Sequence, residues 1–379
     1  METLLSIFAE IDDPRDHTAQ YLLSSMLFIA LAATLCGAKA CTEIADYAEA
    51  NLAELSEIID LPGRTPSHDS FSRLFRLLDP DQLERALQRF VQAIRQGLGL
   101  GPASGVVAVD AKRMRRGYER GRACVPPLMV GIWDAETRLS LAACANTSGN
   151  EVAASLQALK MVALTGCTVT ADALHCHPAM AQTICAQGGE YVLKLKANHG
   201  PLWRAAAAAF AEADTAGTLT AHETSGHAHD RSERRRGSVV PAPADAPAFP
   251  GLAAFGRIET ERRTADGKLT RTTHYVVMSK RLPAWRMMSV TRRHWGIENH
   301  LHWHLDVVLH EDDARTRNNH APGNLAVIRR MALDMLRAHP DKRSIARKMR
   351  MAVWSKAFFQ ELFSPSYSSH DRNLLADVA

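Results

Sequence analysis

Apolar positions in the first hundred residues recur at helical spacing. Leu22, Met26, Ile29, Leu31 and Leu35 form one apolar run, and Ile44, Tyr47, Leu52 and Leu55 give "CTEIADYAEANLAELSEII" one apolar face. "TPSHDSFSRLFRLL" sets Ser67 and Asp69 before Phe71, Leu74 and Phe75, the chemistry of a helix start. "DPDQLERALQRFVQAIRQ" predicts a further amphipathic helix opening at Asp79 or Asp81. "GLGLGPASG", Gly97 to Gly105, then breaks the pattern as a linker. It is not a dinucleotide fingerprint, because its third glycine is misplaced and it precedes a strand.

Beyond the linker the period changes. "GVVAVD" is a buried strand ending at Asp110, and "PPLMVGIWDAETRLSLAAC" predicts a hairpin turning near Asp134 to Thr137. "NEVAASLQALKMVAL" predicts a helix, "CTVTAD" a strand ending at Asp172, "HPAMAQTICAQG" a helix closed by Gly188, and "EYVLKLKAN" a strand. Alternation of this kind implies an α/β mixed sheet flanked by helices. From Pro201 to Ser279 the pattern loosens into an insertion: a helix in "LWRAAAAAFAEA", a polar and then Pro/Ala-rich stretch to about Pro250, and strands in "AFGRIETERRT" and "TRTTHYVVMSK". Helical spacing resumes in "TRRHWGIENHLHWHLD", continues through "NLAVIRRMALDMLRAH", stops at Pro340 and restarts in "SIARKMRMAVWSKAFFQELF". The expected organisation is a helical N-terminal part over 1–100, an α/β domain over 101–340 with its insertion at about 201–279, and a basic helical tail over 341–379.

Composition adds little until it is located. The 379 residues are 46% hydrophobic and 23% charged with a net charge of +4, the balance of a globular chain. Basic residues cluster in "KRMRRGYERGR" (Lys112 to Arg122), in "RSERRR" (Arg231 to Arg236), and from Arg315 to Lys356, where eleven Lys and Arg face two acids. Such clusters read as phosphate-contacting patches or as solvated basic faces. Seven cysteines without a C-x-x-C pair suit free thiols in a reducing cytosol. Tyr21 to Ala38 is uncharged and of marginal length for a membrane span. Its serines, threonine and alanines favour a fully buried helix, and no basic segment precedes it as in a signal peptide.

Asp110 and Asp172 both end apolar strands, at the edge where open α/β sheets place ligands. Two carboxylates in one crevice repel unless a cation joins them, and hard oxygen ligands select magnesium or manganese. Glu298 is the candidate third ligand: on a regular helix it shares an inward face with His294, Leu301, His302 and Leu305. Taken singly, an aspartate after a strand is more often a cap or turn former, and Asp172 could cap the helix beginning near His175. His300 and His304 have the spacing of a zinc pair, but "HETSGH" is one residue too long for the metalloprotease pattern. Trp295 and Trp303 are expected in the core, with base stacking as the alternative. Glu311, Asp312 and Asp313 read as a solvated run or a helix cap.

The order of these motifs resembles the ribonuclease-H-like catalytic domain of D-D-E transposases. "DPRD" (13–16), "CGAKACTEIADYA" (36–48), "PSHDSFSRLF" (66–75), "VAVDAKRMRRG" (108–117), "TADALHCH" (170–177), "YVLKLKANH" (191–199) and "RRHWGIENHLHWHLDV" (292–307) resemble bacterial insertion-sequence transposases related to the H-repeat-associated proteins of Rhs elements. The likeness spans nearly the whole chain. It departs where Ala111 follows Asp110 in place of the usual glycine, and where His177 stands for a glutamine. In the related branch with a Tyr, Arg, Glu, Lys signature, those spacings fall on Thr291, His294 and Leu305, with Arg292 as a substitute charge.

The resemblance implies that Asp110, Asp172 and Glu298 hold two Mg²⁺ ions, with Mn²⁺ as a substitute, and cut the element's ends before joining the 3′-hydroxyl to target DNA. It implies double-stranded DNA as partner, through Lys112, Arg113, Arg115, Arg116, Lys196, Arg292, Arg293, Arg315, Arg317, Arg347, Lys348 and Arg350. It further implies a homodimer or larger synaptic oligomer, no membrane, and a bacterial cytoplasmic, nucleoid-associated location. A catalytically silent DNA-binding derivative and a magnesium-dependent nuclease without strand transfer are the rival readings.

Overall fold

The computed structural model describes residues 2–16, 19–116, 127–146, 150–197, 199–228 and 231–363. The basic run beyond residue 116, Cys124 and the tail from 364 lie outside them. The chain opens with α1 (Glu2–Ala9), α2 (Leu23–Leu35), α3 (Cys41–Ala50), α4 (Leu52–Ser56), α5 (His68–Leu77) and α6 (Pro80–Gly97). α5 starts where Ser67 accepts from the Ser70 amide, and α6 where Asp79 accepts from Asp81 with Pro80 in the first turn. The uncharged α2 spans thirteen residues, of which twelve are buried, so it is an interior helix. Among the described residues no helix is long and apolar enough to cross a membrane.

The strands and their helices follow as β1 (Gly105–Arg113), β2 (Leu128–Asp134), β3 (Ser140–Asn146), α7 (Glu151–Lys160), β4 (Cys167–Ala171), α8 (Pro178–Ala186), β5 (Glu190–Leu195) and α9 (Gly200–Thr215). Next come β6 (Ala221–Ala228), β7 (Arg231–Pro241), β8 (Ala254–Thr264) and β9 (Leu269–Met278). α10 (Ala284–Gly296) runs into a π-helical turn, Ile297–His302, and on into α11 (Trp303–Val307). After a 3-10 turn at Glu311–Asp313 the chain ends in α12 (Ala321–Ala338), α13 (Ile345–Trp354) and α14 (Lys356–Leu362). Hydrogen-bonded strands run in the order β3-β2-β1-β4-β5-β9-β8-β7-β6. β1 pairs parallel with β4 and β4 with β5, while β2–β3, β5–β9, β9–β8, β8–β7 and β7–β6 pair antiparallel. This is an open mixed sheet with flanking helices, the ribonuclease-H-like plan with an N-terminal helical extension.

The helix expected in "LWRAAAAAFAEA" is α9, but the polar stretch that follows it toward Pro250, in which no strand was expected, supplies β6 and β7. Arginines of β7, β8 and β9 pair across strands: Arg234 with Glu223 at 2.6 Å, Arg262 with Glu233 at 2.6 Å and Arg271 with Glu261 at 2.6 Å. Opposed charges satisfy a ribbon whose outer half is exposed, which is why its sequence lacks the apolar alternation of a half-buried strand.

By internal packing the described residues form two compact units. One comprises Met1–Pro102, Ala111–Met161 and Glu298–Ala379, the other Ala103–Asp110 and Val162–Ile297. In the first, α12 packs against α2, α5, α6 and β3. Its polar residues are internal connectors. Asn324 donates to the carbonyls of Phe75 and Leu78 at 3.0 and 2.9 Å, Arg329 to Lys39 at 2.9 Å, and Asp334 accepts from the Ser140 amide at 3.1 Å. Lys348 reaches back from α13 to the Leu336 and His339 carbonyls, each at 2.8 Å, and closes the carboxyl end of α12. Within the basic sequence between Arg315 and Lys356, Arg329, Arg330 and Lys348 are therefore framework rather than surface.

Candidate functional site

Parallel pairing of β1 with β4 sets Val109 opposite Ala171. Asp110 and Asp172 directly follow these two residues in sequence, and paired strands lie ~4.8 Å apart. Both acids are partly accessible, whereas the paired Val109 and Ala171 are buried. Asp172 does not cap a helix. One of its oxygens accepts from the Leu174 amide at 2.9 Å, and α8 starts at His177, whose Nδ1 accepts from Ala179 at 3.2 Å. The histidine that replaces a glutamine in the motif is thus a helix cap. β1, expected to end at Asp110, runs on to Arg113, whereas Asp172 directly follows the last residue of β4. Two hard carboxylates on these neighbouring segments suit a divalent cation, which would relieve their mutual repulsion.

Next to Asp172, His294 of α10 meets the Thr170 hydroxyl at 3.3 Å. Burial pushes this imidazole down to about 4, against the opposing charge of Asp172. A neutral ring at neutral pH leaves the Asp172 charge to attract another cation.

Glu298 stands on the π-helical turn. The buried row runs through Ile297, Leu301 and Leu305, all 0% exposed, at a spacing of four residues. A regular helix of 3.6 residues per turn would drift off that row. The wider turn keeps it, and Glu298, one residue past Ile297, is exposed rather than inward-facing. Among the described residues no group of three His, Cys, Asp or Glu side chains is arranged to hold a metal. Trp295 and Trp303, expected in the core, are 53% and 51% exposed, because the same row already fills the interior side of their helices.

The three acids expected to be solvated diverge. Glu311 has a fully buried side chain, 2.8 Å from Arg330 and 3.2 Å from Lys112. Burial opposes its charge, but Arg330 and Lys112 overcome that and hold its carboxyl down to about 2. The left-handed His310, φ 53°, begins the turn that directs it inward. Lys112 is also 2.6 Å from Asp306 and 2.7 Å from Asp312. An ammonium held by three carboxylates has no vacancy for phosphate, so Lys112 belongs to the framework, as does Lys348. Arg113, Arg115 and Arg116 are exposed; Arg115 and Arg116 lie 3.3 and 3.6 Å from Asp312 and Asp313. Lys196, Arg292, Arg315, Arg317, Arg347 and Arg350 are exposed as well, and Arg293 is half-buried. The ionic cluster around Lys112 escaped sequence reading because its acids lie some 200 residues away.

The open mixed sheet with its flanking helices, carrying Asp110 within β1 and Asp172 just after β4, follows the ribonuclease-H-like plan. Comparison with known families is specific: the "DDE_Tnp_1-associated" model matches residues 5–91 and the "Transposase DDE domain" model residues 101–335. The chain belongs to the DDE transposase family. It is 26% identical over 364 residues to YhhI, an H repeat-associated protein of Escherichia coli strain K12, covering 92% of this chain and 93% of that one. An uncharacterised protein from the dhlA 3′ region of Xanthobacter autotrophicus is 33% identical over 272 residues, covering 69% of this chain and 90% of its own.

Proposed function

We propose that the chain is a DNA transposase that cuts the ends of an insertion sequence and joins the freed 3′-hydroxyl to target DNA. The observation that carries this reading is the parallel pairing of Val109 with Ala171, the residues directly before Asp110 and Asp172, in a chain of the DDE transposase family. Asp110, Asp172 and Glu298 would hold Mg²⁺, or Mn²⁺ in its place. When bound, such ions supply Lewis-acid activation of the attacking oxygen and stabilise the leaving oxygen. The chain's own part is to hold the carboxylates in place and to add no positive charge beside Asp172. His294, neutral beside Asp172, serves that end. Exposed Arg113, Arg115 and Arg116, just beyond Asp110, would neutralise DNA phosphates and fix the backbone's register. Arg292, Arg347 and Arg350 would extend that contact.

Asp172→Asn tests the reading, because the amide keeps size and hydrogen bonding but loses the charge. Mg²⁺-dependent cleavage of a labelled element end should fall below a few per cent of wild type, with DNA affinity unchanged. Cleavage retained above that level would remove Asp172 from the ligand set. Wild-type protein that cleaves but never joins ends would be a nuclease, and protein that binds ends without cleaving would be a silent derivative.

A further inference from the structure

We propose that Arg337 of α12 is a positioning residue for Glu298, acting through the π-helical turn that carries it. The inference rests on reading Glu298 as a metal ligand. A π turn is rare and needs an external reason to persist. Each residue of an α-helix turns it by about 100°. Relaxing Ile297–His302 to α geometry would therefore either swing Glu298 toward the buried row or drive Leu301 and Leu305 out of it. The direction of the Glu298 carboxylate depends on the extra residue staying in place.

Two side-chain donors converge on the carbonyl in that turn. Arg337 Nη2 donates to His300 O at 2.5 Å, and His304 Nδ1 lies 2.5 Å from the same oxygen. The other arm of the guanidinium, Nη1, donates to Arg138 O at 2.7 Å, between β2 and β3. One planar fork thus ties the turn to the hairpin. Asp334, 3.7 Å away and itself bonded to Ser140, lies beside the guanidinium. Burial lowers Arg337 to about 10 with Asp334 opposing, so it stays cationic at neutral pH. The His300 ring is stacked on Trp133 of β2, centroids 6.3 Å apart and planes at 26°, a second tie between turn and hairpin. The Arg337 side chain is 8% exposed and Trp133 1% exposed. With so little surface, their influence on the site passes through the turn.

Arg337→Lys keeps the charge but loses the fork that bonds both carbonyls. The probe is Mn²⁺ alone, titrated calorimetrically into full-length, DNA-free protein. The variants are Arg337→Lys, Glu298→Gln, the double substitution, and Asn324→Ala as a control that destabilises α12 elsewhere. Arg337→Lys should weaken Mn²⁺ binding about tenfold, the scale for partners that orient a ligand, and raise the Mg²⁺ midpoint of cleavage in proportion with DNA affinity unchanged. Asn324→Ala should lower thermal stability without either shift. In the Glu298→Gln background Arg337→Lys should add nothing. Should Arg337→Lys fail to fold, Trp133→Phe must shift Mn²⁺ affinity in the same direction. The inference is overturned if these variants shift it no more than Asn324→Ala, or if the Arg337→Lys effect persists in the Glu298→Gln background. If Glu298→Gln alone leaves Mn²⁺ binding unchanged, the ligand assignment itself is wrong.

Discussion

Burying Glu311 between Lys112 and Arg330 ties stability to acid pH. The carboxyl, ordinarily near 4.5, is held down to about 2 in the folded state. A depressed acid contributes stability above its unfolded value, and that contribution is lost as pH falls through the folded one. The window is therefore pH 4.5 to 2, and the contribution at neutral pH is about 3 kcal/mol. Glu311→Gln should lower unfolding free energy by that order at pH 7, with the gap to wild type narrowing as pH falls through the window. Denaturant titrations at pH 7 and pH 3 check it, and an equal gap at both would contradict the pairing. Asp313, a neighbour 61% exposed in its side chain, should tolerate Asn with little change, because exposed pairs contribute little.

At the level of elements, α12 meets β3 at close range. A Cβ added to Gly323 would lie 2.6 Å from the Cβ of Ala145. That neighbour has no rotamer to move. Glycine to alanine in a helix interior ordinarily gains about 1 kcal/mol, but overpacking costs about 1–3. Gly323→Ala should thus be net destabilising by about 1 kcal/mol, read as a lower melting temperature; a rise would show that the contact relaxes. The elements with ordinary periodicity were legible in the sequence: the apolar run of α2, the strand end at Asp172, the caps at Ser67 and Asp79, although β1 runs past Asp110 to Arg113. Those that depend on distant partners were not. β6 and β7 are satisfied by cross-strand charges, so they carry no hydrophobic alternation. The arginines of α12 look like a basic surface until their partners are placed, because Arg329 donates to Lys39 and Arg330 to Glu311. The π turn left no composition signal, and a regular wheel turned Glu298 inward.

For the whole molecule, these placements redraw the surface available to DNA. Arg347 and Arg350 are exposed on α13, whereas Lys348 between them is buried. Replacing both arginines with Ala should flatten the dependence of log affinity on log salt by about 1.8, at roughly 0.9 per phosphate contact. Lys348→Ala should leave the slope unchanged and lower stability instead, since it removes the closure of α12. Filter-binding isotherms across a salt series decide between them, and a slope that responds to Lys348 alone would reverse the assignment.

Strand cleavage and joining separate the proposed ligands most directly. Wild type, Glu298→Gln and Asp313→Asn are incubated with DNA carrying the ends of the encoding element, a target plasmid and Mg²⁺, and products are resolved at nucleotide resolution. Glu298→Gln should show neither cleavage nor joining while keeping wild-type melting temperature and DNA affinity, and Asp313→Asn should retain most of both activities. Full activity in Glu298→Gln together with loss in Asp313→Asn would contradict the account.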